Sequence, residues 1–238
     1  MKKTITYCFS LRHKKNYSDE NFKITMIIMK EAYTTASKFY NVEILTDNYS
    51  VSKLAKLGYN AKPVTDVHFH YLDDFKVELL KNHSSEFNIL VDPDIVFYDE
   101  VIFPDDKDLV VDRVYDALSK THSIPMIKEF IENGVQDVWP DYDWVKTMPN
   151  IGFFKFNNND LKLEYIEIYS ILKKWLLDSN ITFNIEHSIL LGQYPLQILC
   201  NKHNITPYAL QDHQGSKYFH YDGARKFWHY KHNNPRIL

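Results

Sequence analysis

Phe87-Asn88-Ile89-Leu90-Val91 runs directly into Asp92-Pro93-Asp94. A short apolar run that stops at acids and a proline reads as a buried strand of a parallel sheet, ending where the chain turns outward. The flanking sequence agrees. Asp73 to Asn82 has helical spacing, Val51 to Leu57 is a short helix closed by Gly58, and Val42 to Thr46 is a strand ending in the turn Asp47-Asn48. Asp19 to Phe39 sets Phe22, Met26, Met29 and Tyr33 on one helical face, with Ser18 or Asp19 as N-cap. Thr4 to Ser10 alternates and is rich in β-formers, a first strand. Strand, helix, strand, helix, strand predicts an α/β fold with a mostly parallel central sheet. Such sheets bind ligands at the carboxyl ends of their strands, where Ser10, Asp47 and Asp92 all fall.

Beyond Asp94 the pattern changes. Asp105 to Pro149 is less regular and reads as a loop-rich insertion over a site, with Trp139, Tyr142 and Trp144 among prolines and acids. Gly152 to Phe156 is a strand, Leu161 to Leu177 the longest helical pattern, and Glu186 to Leu191 the start of a further helix. Asp212 to Trp228 is dense in His, Gly and Lys and reads as a functional tail rather than a packed helix. No repeat or low-complexity linker divides the chain, so residues 1–238 read as one domain.

Composition narrows the function. With 238 residues the chain can bury a full core without disulfides or metal staples. Hydrophobic residues at 45% and charged residues at 25% exclude a disordered or collagen-like chain. A net charge of −3 supplies no basic field for nucleic acid or anionic lipid, so neither is an expected partner. Apolar runs such as Ile27-Ile28-Met29 are too short for an integral membrane segment. No apolar signal core follows Lys2-Lys3, so the expected location is cytoplasmic, in a bacterium or, for a viral gene, in its host. Cys8 and Cys200 lack metal-ligand spacing and read as small buried apolar side chains. Aromatics reach 15%, enough to line a sugar or base site or simply to fill the core.

Two patterns carry chemistry. Asp92 and Asp94, two residues apart at a strand end, can share one divalent cation that relieves their mutual repulsion. The plain alternative is a solvated acidic turn. The second is His220-x-x-Gly223-x-x-Lys226-x-Trp228. His220 can add a nitrogen ligand, Gly223 lets backbone approach a phosphate, and Lys226 supplies a point charge for a diphosphate oxygen. One imidazole with carboxylate and phosphate oxygens suits Mn²⁺ or Mg²⁺ better than zinc. The alternative here is an aromatic, basic tail.

In motif order the chain resembles the GT-A nucleotide-sugar glycosyltransferases, and most of all glycosyltransferase family eight, the glycogenin and bacterial galactosyltransferase group. A strand-end Asp-x-Asp matches Asp92-Pro93-Asp94, and an Asn-Ala-Gly segment matches Asn150-Ile151-Gly152. An acidic-Gln pair opening a helix matches Glu186-His187, and a His-x-x-Gly-x-x-Lys-Pro-Trp tail matches His220 to Trp228. The likeness runs from residue 4 to about 228, and its first and last motifs are the specific ones.

The resemblance implies a Rossmann-like GT-A domain that moves a sugar from a nucleoside-diphosphate sugar, UDP-linked in the family, to a glycan, protein- or lipid-linked acceptor with retention of configuration. It implies Mn²⁺ or Mg²⁺ on Asp92, Asp94 and His220, with Asp92 also near the donor ribose. Phe9, Ser10 and Leu11 would lie beside the nucleobase, and Asp47 near base or ribose. Gly223 and Lys226 would contact the diphosphate, within a metal- and diphosphate-binding tail over 212–230. Lys76 matches a basic position facing the donor, or else is a surface lysine on its helix. Asn150 and Gly152 would shape the sugar pocket. Glu186 would orient sugar or acceptor, with His187 beside the anomeric carbon. The acceptor would lie over 105–149, where Trp139, Tyr142 and Trp144 stack on a sugar or pack the insertion onto the core. There Asp112, Asp141 and Asp143 bond hydroxyls or are solvated. Ile151 for alanine, His187 for glutamine and Phe227 for proline depart from the family pattern and imply a different donor or acceptor.

Three rivals stand beside this reading. A nucleotidyltransferase needs a Gly-rich loop after the first strand, and Ser10-Leu11-Arg12-His13-Lys14-Lys15 has no glycine. A metal hydrolase could be built from Asp66, His68 and His70 with Asp73 or Asp74, since His-x-His in a strand puts both rings on one face. A non-catalytic nucleotide- or sugar-binding protein on a degenerate transferase fold is the third.

Overall fold

The computed structural model describes residues 2–11, 18–64, 72–82, 89–116, 123–138, 147–182 and 185–221. Its first half follows the expected alternation: β1 (Thr4–Cys8), α1 (Asp19–Phe39), β2 (Asn41–Thr46), α2 (Asn48–Lys56), β3 (Ala61–Pro63), α3 (Leu72–Asn82) and β4 (Leu90–Val91), with β3 as one added strand. Helix α1 starts where Ser18 accepts a hydrogen bond from the Asn21 amide, with Asp19 and Glu20 in the first turn where the helix dipole favours acids. Helix α2 ends at Gly58, whose φ of +84° is the left-handed conformation that glycine adopts without strain.

The second half holds the expected strand over 152–156 and the expected helices from 161 and 186, but departs from expectation over 105–149 and in the tail. The described residues of 105–149 are mostly regular structure rather than loop. They contain β6 (Leu109–Asp116), α4 (Ser123–Glu132), α5 (Val135–Val138) and the start of β7 (Thr147–Phe156). Two of these are interior strands of the sheet. Trp139, Asp141, Tyr142, Asp143 and Trp144 lie outside the described residues. After α6 (Asn159–Asp178) and α7 (Ile185–His203) come four short elements. These are β8 (Tyr208–Ala209), α8 (Leu210–Gln214), a 3-10 turn at Gly215–Lys217 and β9 (Tyr218–His220), which pairs with β5 (Ile95–Phe97). The described part of the tail is therefore packed secondary structure, while residues 222–238 lie outside the described set.

The main sheet has seven strands in the order β3-β2-β1-β4-β7-β6-β8. The pairs β3–β2, β2–β1, β1–β4 and β6–β8 are parallel, and β7 runs antiparallel to both neighbours. This is an α/β fold with a mostly parallel sheet, compatible with a Rossmann-like architecture. Successive residues point to opposite faces and enter two separate cores. Tyr7, Val91, Val110 and Phe153 join the core under α1, with Ile24, Ile28 and Ala32. Cys8, Leu90, Val111 and Phe154 join the core under α3, α6 and α7, with Phe75, Tyr165 and Leu196. The sheet is thus covered on both sides, as parallel strands require. No described helix is long and apolar enough to cross a membrane.

The β6–β7 ladder slips at one place. Val111 faces Phe154, but Arg113 faces Asn150, so Ile151, Gly152 and Phe153 of β7 stand against Asp112 alone. Such bulges bend a strand and re-aim side chains, and they concentrate near functional sites.

Candidate metal centre at the end of strand β4

Strand β4 ends at Val91, and the next residues form the candidate site. The Asp92 amide donates to the Gly152 carbonyl (2.8 Å), which fixes Asp92 against the β7 bulge. A tight turn through Pro93 and Asp94 is closed by the Ile95 amide on the Asp92 carbonyl (3.3 Å), and β5 begins. Pairing of β5 with β9 sets His220 opposite Ile95, and the Tyr221 amide donates to the Asp94 carbonyl (3.0 Å). Backbone pairing alone therefore brings His220 beside Asp94.

Among the described residues, Asp92, Asp94 and His220 are the group that could hold a cation: one ligand atom from each lies within 4.8 Å of the others. His220 Nε2 is 3.5 Å from Asp94 Oδ1 and 3.8 Å from Asp92 Oδ2, with both carboxylates partly open to solvent. The other ring nitrogen, Nδ1, lies 2.9 Å from Asp112 Oδ2. Arg113 Nη2 is 3.2 Å from the same nitrogen. Arginine only donates and a carboxylate only accepts, so Nδ1 can serve one of the two; the shorter contact assigns its proton to Asp112. The donor set fits a hard divalent ion: two carboxylates and one imidazole, with one ligand atom from each close enough to share it.

Cations balance the cluster. Lys76 is 1% exposed, so it is not a surface lysine; its Nζ lies 2.6 Å from Asp92 Oδ1 in an ionic contact and donates to the Ile151 carbonyl (3.1 Å). Burial raises the Asp92 pKa and Asp94 adds to this, while Lys76 and His220 oppose it. For His220, burial works against the charged ring, but hydrogen bonds to Asp112 and Asp94 and their charges overcome it and push the pKa up to about 10. For Asp112, burial works against the carboxylate, but His220, Arg113 and Tyr218 hold it down at about 2. Without a metal the ring is a cation held between two carboxylates. A metal would take the place of its Nε2 proton.

Gly152 makes this arrangement possible. A Cβ there would sit 2.5 Å from His220 Cε1 and 2.7 Å from Nδ1, so only glycine lets the ring lie against the bulge. Asn150 braces the same bulge: its Oδ1 accepts from the Gly152 amide (2.9 Å) and its Nδ2 donates to Tyr115 Oη (3.0 Å).

The remaining expected residues fall into three groups. Ser10 and Asp47 meet beyond the ends of β1 and β2, with Ser10 Oγ donating to Asp47 Oδ2. Asp47 Oδ1 also caps α2 through the Ser50 amide (2.8 Å). Phe9 and Leu11 are buried and share a hollow with Thr25 and Ile28 of α1 and with Pro93 and Asp94, so they do reach the metal cluster's edge. His187 packs at the α4–α7 interface, 2.9 Å from Glu129 Oε2 and stacked on Phe130. The Glu186 side chain, Gly223, Lys226, Trp228, Asp66, His68 and His70 lie outside the described residues.

Asp112 is neither solvated nor set among acceptor hydroxyls; it is wholly buried and bonded to His220, Arg113 and Tyr218. Sequence reading missed this trio. The signal was a charged pair inside a β-branched run, Val110-Val111-Asp112-Arg113-Val114, since a buried strand keeps a charge only where it has partners. No family model, curated protein or solved structure matches the chain.

Proposed function

We propose that the chain is a metal-dependent glycosyltransferase of GT-A type, moving a sugar from a UDP-linked donor to an acceptor hydroxyl with retention. The observation that carries this reading is the convergence of Asp92, Asp94 and His220 at the carboxyl end of a parallel strand. The Asp-x-Asp and the tail histidine lie far apart in sequence, yet β5–β9 pairing unites them.

In this reading Asp92, Asp94 and His220 hold Mn²⁺ or Mg²⁺. When bound, that ion neutralises negative charge on the leaving diphosphate. Lys76 holds Asp92 in place from the buried side. Phe9, Ser10 and Leu11 lie beside the nucleobase, at the strand end next to Asp94, and Asp47 near base or ribose. Gly152 and Asn150 shape the sugar pocket. Gly223 and Lys226 supply diphosphate contacts, the attacking group is the acceptor's own hydroxyl, and Glu186 orients sugar or acceptor. His187, engaged by Glu129, favours a second reading in which donor binds without transfer.

The test is thermal stability with Mn²⁺ and a panel of nucleoside diphosphates, for the natural chain and for Asp94→Ala and His220→Ala. A ligand at a hundred times its Kd stabilises by about 2.7 kcal/mol. The expected result is a shift with Mn²⁺ plus UDP that both variants lose, followed by Mn²⁺-dependent release of UDP from one UDP-sugar. Binding without release would select the second reading. No metal-dependent shift with any nucleotide would overturn both.

A further inference from the structure

We infer that Asp112 is the positioning residue of the metal centre: it holds the His220 ring so that Nε2 faces Asp92 and Asp94. The inference rests on the reading of those three side chains as metal ligands.

Asp112 is wholly buried in a sheet strand, where an apolar residue of similar size would ordinarily serve stability better than a charge. Its two oxygens divide their work. Oδ1 accepts from Tyr218 Oη (2.6 Å), and Oδ2 accepts from His220 Nδ1 (2.9 Å) and from Arg113 Nε (2.8 Å). Tyr218 and His220 are two residues apart on β9 and so share a face. One carboxylate thus grips two side chains of the strand that carries the ligand, from across the cleft on β6.

The grip selects a ring orientation. Turning the imidazole over would exchange Nδ1 with a ring carbon, lose the bond to Asp112, and present Cε1 rather than Nε2 to the carboxylates. The ring packs so closely on Gly152 that a Cβ there would lie 2.5 Å from Cε1 and 2.7 Å from Nδ1. A partner on the far nitrogen fixes tautomer and direction in metal-binding histidines, and its loss costs about 10- to 100-fold in metal affinity.

Mn²⁺ alone is the probe, added to the full chain and read by two signals: affinity from titration, and nitrogen hyperfine coupling on the bound ion, which reports a ligating imidazole. The natural chain should bind Mn²⁺ and show the coupling; His220→Ala should lose it. Asp112→Ala should weaken binding by about 10- to 100-fold and lose or diminish the coupling. Asp112→Asn keeps an oxygen toward His220 and Arg113 and offers its amide to the Tyr218 hydroxyl, which can turn to accept. It should give a smaller loss with the coupling kept, and it carries the test if the alanine variant does not fold. Because Asp112 acts through His220, the double variant Asp112→Ala/His220→Ala should bind no more weakly than His220→Ala. Natural coupling and affinity in Asp112→Ala, or a full additive loss in the double variant, would overturn the inference while leaving the metal centre standing. Failure of the natural chain to bind Mn²⁺ would overturn the metal centre itself, and this role with it.

Discussion

Gly152 and Lys76 are the two residues whose substitution speaks most directly about the cluster. In Gly152→Ala the new methyl meets the His220 ring within 2.7 Å, so ring or bulge must move. Overpacking of this kind costs about 1–3 kcal/mol. We expect a lower Tm and at least tenfold weaker Mn²⁺ binding; unchanged metal affinity would show that the ring need not lie on the bulge. Lys76→Met removes the buried cation beside Asp92. Loss of one partner of a fully buried pair costs about 3–5 kcal/mol, and the part-open Asp92 puts this case at the low end. At about 2–4 °C per kcal/mol for a chain of this size, the metal-free Tm should fall by roughly 6–12 °C. Saturating Mn²⁺ should then stabilise the variant more than the natural chain. Equal stabilisation would mean that Lys76 serves the core independently of the cluster. Asp92, Asp94 and His220 were legible as candidate ligands because their motifs are local. Asp112 was not, because its importance comes from Tyr218 and His220, over a hundred positions away.

At the scale of elements, the first half was readable, the three-residue β3 apart, because its helices and longer strands declare themselves by period and cap. Asp47 caps α2 from a strand end, the position at which the proposed function sets the donor's base or ribose. Asp47→Ala should lower stability by about 1 kcal/mol through loss of the cap. Asp47→Asn caps nearly as well and should leave Tm almost unchanged. If it nevertheless weakens Mn²⁺–UDP binding, the carboxylate also serves the nucleotide; if binding is unchanged, the cap is its whole role. The stretch 105–149 misled for a physical reason. Strand β6 carries Asp112 and Arg113 at its centre, so its alternation is broken by the groups that build the site. The bulge in β7 shifts the period across Ile151 and Gly152 in the same way. Charge and irregularity there read as loop, although the backbone is sheet.

For the whole molecule, the sheet divides into a parallel half, β3-β2-β1-β4, and a half built on the antiparallel strand β7. The candidate centre sits on the seam between them, where Asp92 is bonded to Gly152. The small β5–β9 sheet has a kinetic consequence. Its strands are separated by more than a hundred residues, so the loop that closes between Ile95 and His220 is among the longest in the chain. Non-local pairings of this kind pay their closure entropy before any contact rewards it, and they tend to form late. The ligand set would then be the last part of the molecule to assemble. In refolding, far-UV ellipticity should recover before bound Mn²⁺ acquires its nitrogen signal. A chain stalled short of that step would hold most of its secondary structure yet be blind to the metal, so metal binding would act as a readout of completed folding.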